Sequence, residues 1–249
     1  MKVLIACLLC VLSGCSSQAS SLKDREIQAS EILEHIGRGE HLYLDSCIVW
    51  GDLDFTKLPN RNRIASNLTQ VFVESSVTFH DCLFVGEVRM FDPEAGICVE
   101  FAHNLSFTHC DFRKEADFTE VIVEGHVFFT GSIFHKRVSW QGSSFRHKKV
   151  YFNEVTFEDE ALFQEAIFAG EGNFLHTVFH SSAMFQKIRA GGLLFFGHTQ
   201  FKGYADFTYA TAPESQFLYA EFGKRYDFGH SQLHPMGLPE NIVIKIRKL

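Results

Sequence analysis

Bulky aromatic side chains recur along this chain at alternating intervals of five and six residues. From Phe101 onward they form two interleaved series that each advance by eleven, with slips of one residue near 150 and near 215. The first series is Phe107, Phe118, Phe129, Trp140, Phe152, Phe163, Phe174, Phe185, Phe196, Phe207, Phe217 and Phe228. The second is Phe101, Phe112, Val123, Phe134, Phe145, Phe157, Phe168, Phe179, Ala190, Phe201, Ala212, Phe222 and Leu233. A period kept over this length indicates one small unit repeated many times.

The composition supports a repeat whose interior is filled by one residue type. Phe occurs 27 times among 249 residues, whereas Trp occurs twice and Tyr six times. A period of eleven also fits three turns of an α-helix. However, the residues between the bulky positions are rich in Gly, Ser, Thr and Asn, which disfavour a helix of that length. A small residue usually lies two before each bulky one, and this alternation favours short extended segments separated by turns.

Several units resemble the pentapeptide-repeat family in its Phe-centred form. Ala116-Asp117-Phe118 and Ala205-Asp206-Phe207 match the unit A-(D/N)-(L/F)-x-x, and Asp54-Phe55, Asp111-Phe112 and Asp227-Phe228 match it in part. The resemblance covers about residues 45–235 and implies an all-β fold, a right-handed quadrilateral β-helix whose central Phe points inward. The six-residue steps depart from the family pattern, so the sequence does not fix the number of residues in one coil, which is about 20–22. The structural core residues predicted in this way are Phe107, Phe112, Phe118, Phe129, Phe134, Phe163, Phe168, Phe174, Phe179, Phe185, Phe201, Phe207, Phe222 and Phe228.

The amino terminus reads as an export signal. Lys2 precedes an apolar run, Val3–Leu12, which is too short to span a bilayer because a spanning helix needs about 20 residues. Leu12-Ser13-Gly14-Cys15 resembles the lipobox of bacterial lipoproteins. That resemblance implies cleavage before Cys15 and lipid attachment, palmitate included, at Cys15. An ordinary signal peptide with an incidental Cys15 is the alternative. Ser16, where Asp would signal inner-membrane retention, favours the outer membrane, at its periplasmic face or at the cell surface.

These patterns divide the chain into five parts. We predict a signal peptide at 1–14, a lipidated Cys and flexible tether at 15–25, an N-terminal capping helix at 26–41, the β-helix at 42–235 and a C-terminal cap at 236–249. The helix is expected to run from an N-cap at Ser30 to Gly37 or Gly39, with Ile32, Leu33 and Ile36 closing the first coil. In the final cap, Ile242–Arg247 alternates like an edge strand.

The repeat weakens in two places, which are predicted to be loops. These are Pro59–Ser66 and Asp92–Gly96. Because loops on a regular scaffold often carry specificity, Arg61, Arg63 and Asp92 are candidate interaction residues. Simple connecting loops are the alternative interpretation.

Four cysteines follow Cys15, and their role is open between disulfides and buried thiols. The even number of Cys47, Cys82, Cys98 and Cys110 allows disulfides in an oxidising compartment. Cys82 and Cys110 occupy the small inward position, which favours free buried thiols. The histidines mostly follow a bulky position and are expected to be solvated. No zinc-ligand spacing or catalytic motif is evident, so we expect no metal, no cofactor and no catalytic residue.

Three functions are compatible with the sequence. The first is a non-enzymatic, membrane-anchored scaffold that binds a protein partner. The second, implied by the family resemblance, is a DNA-mimic protein that binds a topoisomerase; the net charge of −7 permits it, but the export signal opposes it. The third is a carbohydrate-binding or carbohydrate-active β-helix that uses outward Tyr204, Tyr209 and Tyr219. An acidic chain argues against nucleic-acid binding, and the resemblance leaves a homodimer open.

Overall fold

The chain winds as a four-sided β-helix. A computed structural model describes residues 19–147, 149–223, 225–233 and 236–238. The predicted signal peptide, Cys15 and most of the predicted C-terminal cap lie outside these residues. Four sheets enclose one core, and a regular turn of the chain adds one strand to each sheet. Apart from two antiparallel hairpin pairings, the strands run parallel to their neighbours in the turns before and after.

We call the four sheets faces A, B, C and D, in the order in which the chain visits them. Face A consists of Ala19–Lys23, His41–Asp45, Val77–His80, Leu105–Thr108, Val127–Phe128, Lys149–Tyr151, Glu171–Asn173, Leu193–Phe195 and Glu214–Gln216. Face B consists of Glu26–Gln28, Ile48–Trp50, Leu83–Phe84, Asp111–Phe112, Ile133–Phe134, Thr156–Phe157, Val178–Phe179, Gln200–Phe201 and Glu221–Phe222.

Faces C and D complete the tube. Face C consists of Leu53–Asp54, Val88–Arg89, Ala116–Asp117, Val138–Ser139, Ala161–Leu162, Ala183–Met184, Ala205–Asp206 and Tyr226–Asp227. Face D consists of Arg61–Ala65, Leu68–Val73, Ile97–Phe101, Ile122–Val123, Ser144–Phe145, Ile167–Phe168 and Arg189–Ala190, with Phe91–Asp92 paired to Ile97–Phe101. A short 3₁₀ helix, Phe55–Lys57, follows the first strand of face C.

The strand register fixes the length of a regular turn at 22 residues. Leu105 pairs with Val127, its equivalent one turn later, and the Cys110 backbone N–H donates to Ser132 Oγ across the same separation of 22. The turn that ends at Val150 is one residue longer, and the turn from Leu194 to Ser215 is one residue shorter. These two places coincide with the slips predicted near 150 and 215.

Phenylalanine rings stack in columns along the axis, as the sequence predicts. Phe174 is parallel to Phe152 and Phe196, with ring centroids 5.1 and 4.9 Å apart. Rings of neighbouring columns meet edge to face, as Phe163 meets Phe174 at 5.4 Å, an arrangement that the aromatic quadrupole favours. Of the fourteen predicted core residues, thirteen are buried. Phe222, in the last described turn, is only partly buried.

The amino-terminal end differs from the predicted tether and helix. The tether prediction for 15–25 is wrong for Ala19–Lys23, which pairs in parallel with His41–Asp45. Its Ser-rich composition reads as a linker, yet Leu22 packs against the core. The capping helix covers Ala29–Gly37, not all of 26–41, and its N-cap is Gln28 rather than Ser30.

The helix nevertheless closes the first turn. Ile32 and Ile36 are fully buried and Leu33 is partly buried against the core. The helix lies against the strands Glu26–Gln28, His41–Asp45 and Leu53–Asp54, where it shields apolar surface that a terminal coil would otherwise expose.

Both predicted loops are β-hairpins. Arg61–Ala65 pairs antiparallel with Leu68–Val73 and forms the first strand of face D. Phe91–Asp92 pairs antiparallel with Ile97–Cys98 at the corner between faces C and D. The first hairpin strand is exposed along its whole length, so it has no alternation of apolar and polar residues from which a strand could be predicted.

Two of the four corners need a left-handed backbone. The residue two after the central ring of faces A and C has a positive φ in most turns, for example His109 at 55°, Glu165 at 61° and Tyr219 at 58°. Non-Gly residues rarely adopt this conformation. The fold therefore requires a positive φ at corner positions that carry long polar side chains, and the composition of the sequence does not predict this conformation.

Candidate functional site

Arg61, Arg63 and Asp92, the candidate interaction residues, all bond to backbone groups close to them in the chain. Arg61 donates to the carbonyl oxygens of Leu58, at 3.0 Å, and Thr56, at 2.5 Å. Arg63 donates to the carbonyls of Ala65 and Ser66. The Asp92 carboxylate accepts from the backbone N–H groups of Glu94 and Ala95, both at 3.0 Å. These contacts support the two hairpins, and they leave less of each side chain to bind a partner.

The thiols of the chain are free and buried at all four described positions. Cys47, Cys82 and Cys110 precede face B strands that pair in register, so they succeed one another in adjacent turns. Burial raises the pKa of the Cys110 thiol well above its ordinary value, so this thiol stays protonated at neutral pH. Cys110 Sγ lies 3.6 Å from the carbonyl oxygen of Phe79.

The same inward position carries hydroxyls in later turns. Ser132 Oγ donates to the Phe107 carbonyl at 2.8 Å, and Thr177 Oγ1 donates to the Phe152 carbonyl at 2.6 Å. Each of these carbonyls belongs to a core ring residue at the left-handed corner. Cys110 is therefore a free buried thiol, as predicted, and it also stands where later turns have a hydrogen-bond donor.

One trio of side chains has the composition of a metal site. Ligand atoms of Asp45, His80 and Asp81 all lie within 4.8 Å of one another. Lys23 Nζ, however, lies 3.1 Å from Asp45 Oδ2 and holds the pKa of that carboxyl below its usual range. His80 Nδ1 is 2.9 Å from Thr108 Oγ1. The Lys23 ammonium already supplies the positive charge that the trio attracts.

Exposed rings form short columns at two corners of the later turns. His198 stacks on His176 and on Tyr219, with centroids 4.8 Å apart in both pairs. On the opposite corner Tyr209 stacks on His230 at 4.9 Å. Tyr219 is 75% exposed and Tyr209 is 54% exposed, so both lie outward as the sequence predicts.

A groove runs along the corner between faces B and C in the last turns. We call it the BC groove; it is lined by His180, Ser181, Ser182, Lys202, Gly203, Tyr204, Gly223 and Arg225. Its volume is about 550 Å³. The groove has two walls. The wall on the side of face B contains His180 and Lys202, which are exposed, and the wall on the side of face C contains Tyr204 and Arg225.

Three side chains of the BC groove, those of Arg225, Tyr204 and His180, have contacts within the chain. The Arg225 guanidinium lies over the Tyr204 ring, 5.2 Å from its centroid. Tyr204 Oη donates to Asp206 Oδ2 at 3.2 Å, and burial together with the Asp206 charge raises the pKa of Tyr204 to about 12. Glu158 Oε2 lies 3.9 Å from His180 Nδ1. Tyr204 therefore stays a neutral hydrogen-bond donor over the physiological range.

Comparison with known proteins adds no identity to this geometry. No protein-family model, curated protein or solved structure matches the chain. The resemblance to pentapeptide repeats therefore remains a prediction from the residues. Within the part of the chain that the structure describes, no helix has both the length and the apolar content needed to cross a bilayer.

The sequence alone does not reveal the BC groove, because the residues that line it are dispersed in the chain. Ala183 pairs with Ala205 and Ala205 with Tyr226, so the residues just before them, Ser182, Tyr204 and Arg225, form one outward column. Aligning the sequence at a period of 22, and at 21 across the late slip, would have placed them side by side.

Proposed function

We propose that this chain is a non-enzymatic bacterial lipoprotein, held to a membrane by lipid on Cys15, whose β-helix is a scaffold for a protein partner. The observation that carries the proposal is that a strand of face A, Ala19–Lys23, lies only four residues after Cys15 and pairs with His41–Asp45. A lipobox this close to a paired strand joins the anchor directly to the rod.

Chain geometry limits where such a rod can lie. Four residues span at most about 14 Å when fully extended. The helix-capped turn would therefore stay next to the bilayer. The described turns are spaced at about 4.8 Å, so the last of them could reach roughly 40 Å from the first. An anchor that places a long, stiff surface at a fixed distance is suited to holding another protein.

The outward side chains support a scaffold role. Charged residues pair along the columns, as Lys187 pairs with Glu165 at 2.7 Å and Arg146 pairs with Glu124. Exposed large apolar side chains occur in the last turns, at Tyr209, Leu218, Tyr219 and Met236. Protein interfaces are enriched in Tyr and Met, so these turns are where we expect a protein partner to bind.

The anchor is tested by labelling cells with radioactive palmitate and fractionating their membranes. The full chain should incorporate label, enter the membrane fraction, and have its mature amino terminus at a lipid-modified Cys15 by mass spectrometry. Cys15→Ser should lose both label and membrane association. Cys10→Ser, a matched change inside the predicted leader, should keep both. Label retained by Cys15→Ser, or a mature terminus elsewhere, would contradict the proposal.

The outer-membrane assignment has a separate test. Ser16→Asp introduces the residue that the sorting rule associates with inner-membrane retention. On a density gradient the unaltered chain should sediment with outer-membrane markers and Ser16→Asp with inner-membrane markers, while Ser16→Asn should behave as the unaltered chain. Inner-membrane sedimentation of the unaltered chain would overturn this part of the proposal.

A further inference from the structure

We infer that the BC groove is a binding site for an acidic saccharide, a sugar chain that carries carboxylates. This assignment is independent of the lipid anchor and adds a ligand to the scaffold. Three properties of the groove carry it: its charge, an aromatic ring with one uncovered face, and a corner that is kept free of side chains.

Two cationic side chains line the BC groove. The whole chain carries a net charge of −7, yet the lining residues that the structure describes include Lys202 and Arg225 and no carboxylate. Asp206 accepts from the Tyr204 hydroxyl, and the charges of Asp206 and Asp227 both act on that hydroxyl, so the exposed Lys202 and Arg225 would have to hold the anion. A local concentration of cations in a concave surface attracts anions, and the guanidinium of Arg225 can bind a carboxylate in a bidentate manner.

The Tyr204 ring offers a surface for a sugar. Arg225 covers one face of this ring. In the turn on the other side, the residue aligned with Tyr204 is Ser182, whose side chain is too small to cover a ring. The hydrogen bond to Asp206 holds the ring in place. An amphipathic ring with one uncovered face can pack against the apolar C–H face of a sugar, while the Ser181 and Ser182 hydroxyls supply donors and acceptors.

Glycine keeps the corner of the BC groove open. A Cβ atom on Gly203 would lie 2.2 Å from the Ser181 carbonyl oxygen, and one on Gly223 would lie 2.8 Å from the Lys202 carbonyl oxygen. Successive turns therefore approach so closely here that only Gly fits, and no side chain fills the space between the two walls. The groove volume of about 550 Å³ is within the range of small-ligand sites.

The strand pairing favours a saccharide over an acidic peptide. Extended peptides commonly bind by adding a strand to a free sheet edge. At the groove, Gln200–Phe201 and Ala205–Asp206 both pair with strands on either side. Their backbone groups are therefore already used, and side chains alone provide recognition.

Binding is tested by calorimetry on the full mature protein in detergent, with galacturonate tetrasaccharide as the probe. The acid should bind at least tenfold more tightly than its fully methyl-esterified form. Lys202→Gln and Arg225→Gln should each weaken binding at least tenfold, and Tyr204→Ala should weaken it more than Tyr204→Phe. Arg189→Gln, on face D, and Tyr209→Ala, on another corner, are matched controls outside the groove and should bind as the unaltered protein.

Several outcomes would overturn the assignment. They are equal binding by Arg225→Gln and Arg189→Gln, equal binding of the acid and its ester, and absence of binding. A tetraglutamate peptide that binds as tightly, and loses affinity in the same variants, would assign the groove to acidic peptides instead. Lys202 and Arg225 are exposed, so unchanged thermal unfolding is expected and separates lost binding from lost fold. Cys15→Ser should bind the probe normally, which makes failure of the groove distinguishable from failure of the anchor.

Discussion

From Phe107 to Phe228 every turn places a bulky ring on faces A, B and C, whereas the two turns before them combine the rings Phe55, Phe79 and Phe84 with Leu44, Val49 and Met90 at the equivalent positions. The later turns keep close to 22 residues. The two earlier turns separate equivalent residues by 35 and 28, as His41 and Ser76 or His80 and Thr108 show. The extra residues are the two hairpins.

The contrast shows that two kinds of interaction stabilise the β-helix: ring stacking between turns, and the pairing of local elements. In the later turns each ring contacts rings above and below, so stability is a sum of similar nearest-neighbour contributions. In the earlier turns the hairpin Arg61–Ala65 supplies its own pairing with Leu68–Val73, and a helix closes the end. Irregular turns are tolerated where local elements replace the ladder contacts that they interrupt.

The largest expected effect is loss of a ring in the regular half. Phe163 is fully buried and stacks on Trp140 at 4.8 Å and on Phe185 at 4.9 Å. We expect Phe163→Ala to lower the free energy of unfolding by about 3–5 kcal/mol, measured by urea denaturation, because the rigid ladder cannot collapse into the cavity. Phe222→Ala, at a partly buried ring, should cost clearly less. A loss below about 1 kcal/mol at Phe163 would contradict the stacking account.

A smaller effect is expected from filling the tight corner. Gly203→Ala forces a Cβ against the Ser181 carbonyl, and we expect it to cost about 2–3 kcal/mol, as overpacking does. The matched change at the amino-terminal end is Gly39→Ala, which meets no atom within 4 Å but has a φ of +76°. It should cost about 1 kcal/mol in the same denaturation experiment. Equal losses would show that backbone conformation, and not turn-to-turn contact, sets the need for Gly.

The buried hydroxyls sharpen the same comparison. Thr177→Val leaves the Phe152 carbonyl without its donor, and we expect a loss of about 1–2 kcal/mol. Thr177→Ser should restore most of it. Cys110→Ala, in the first of the regular turns, should cost less, because a thiol 3.6 Å from its acceptor is a weak donor. A larger loss for Cys110→Ala than for Thr177→Val would contradict this ranking.

The sequence predicts the ring columns well because side-chain size repeats visibly along the chain. It does not reveal the strand Ala19–Lys23, where three polar or small residues precede one inward Leu22. It also does not reveal the hairpin Arg61–Ala65, which is exposed throughout. Both segments are held by backbone hydrogen bonds. Because every residue type except Pro can form these bonds, the composition of a segment does not reveal them. The BC groove is not evident in the sequence for another reason: the residues of its two walls can be aligned only when the turn length is known.

The smallest expected effect is a pH dependence confined to the helix-capped end. The Glu40 carboxylate accepts from Ser20 Oγ at 2.6 Å, contacts His35 Nδ1 at 2.6 Å and accepts from Arg38 Nε at 2.7 Å. These contacts lower the pKa of Glu40 from 4.5 to about 2. Because the folded state holds the ionised form, its contribution is complete above about pH 4.5 and is lost as the pH falls through about 2.

Hydrogen exchange can measure this effect locally. Amides of the helix Ala29–Gly37 should open more readily at pH 3 than at pH 6, after correction for intrinsic exchange, while amides of Thr156–Phe157 in the regular half should not change in parallel. Glu40→Gln should remove most of the pH dependence, since an amide cannot ionise. Glu34→Gln, an exposed change on the same helix, should leave it intact. If the two variants behave alike, the contact between the strand Ala19–Lys23 and the end of the helix does not depend on the Glu40 charge. Packing alone would then stabilise the helix-capped end.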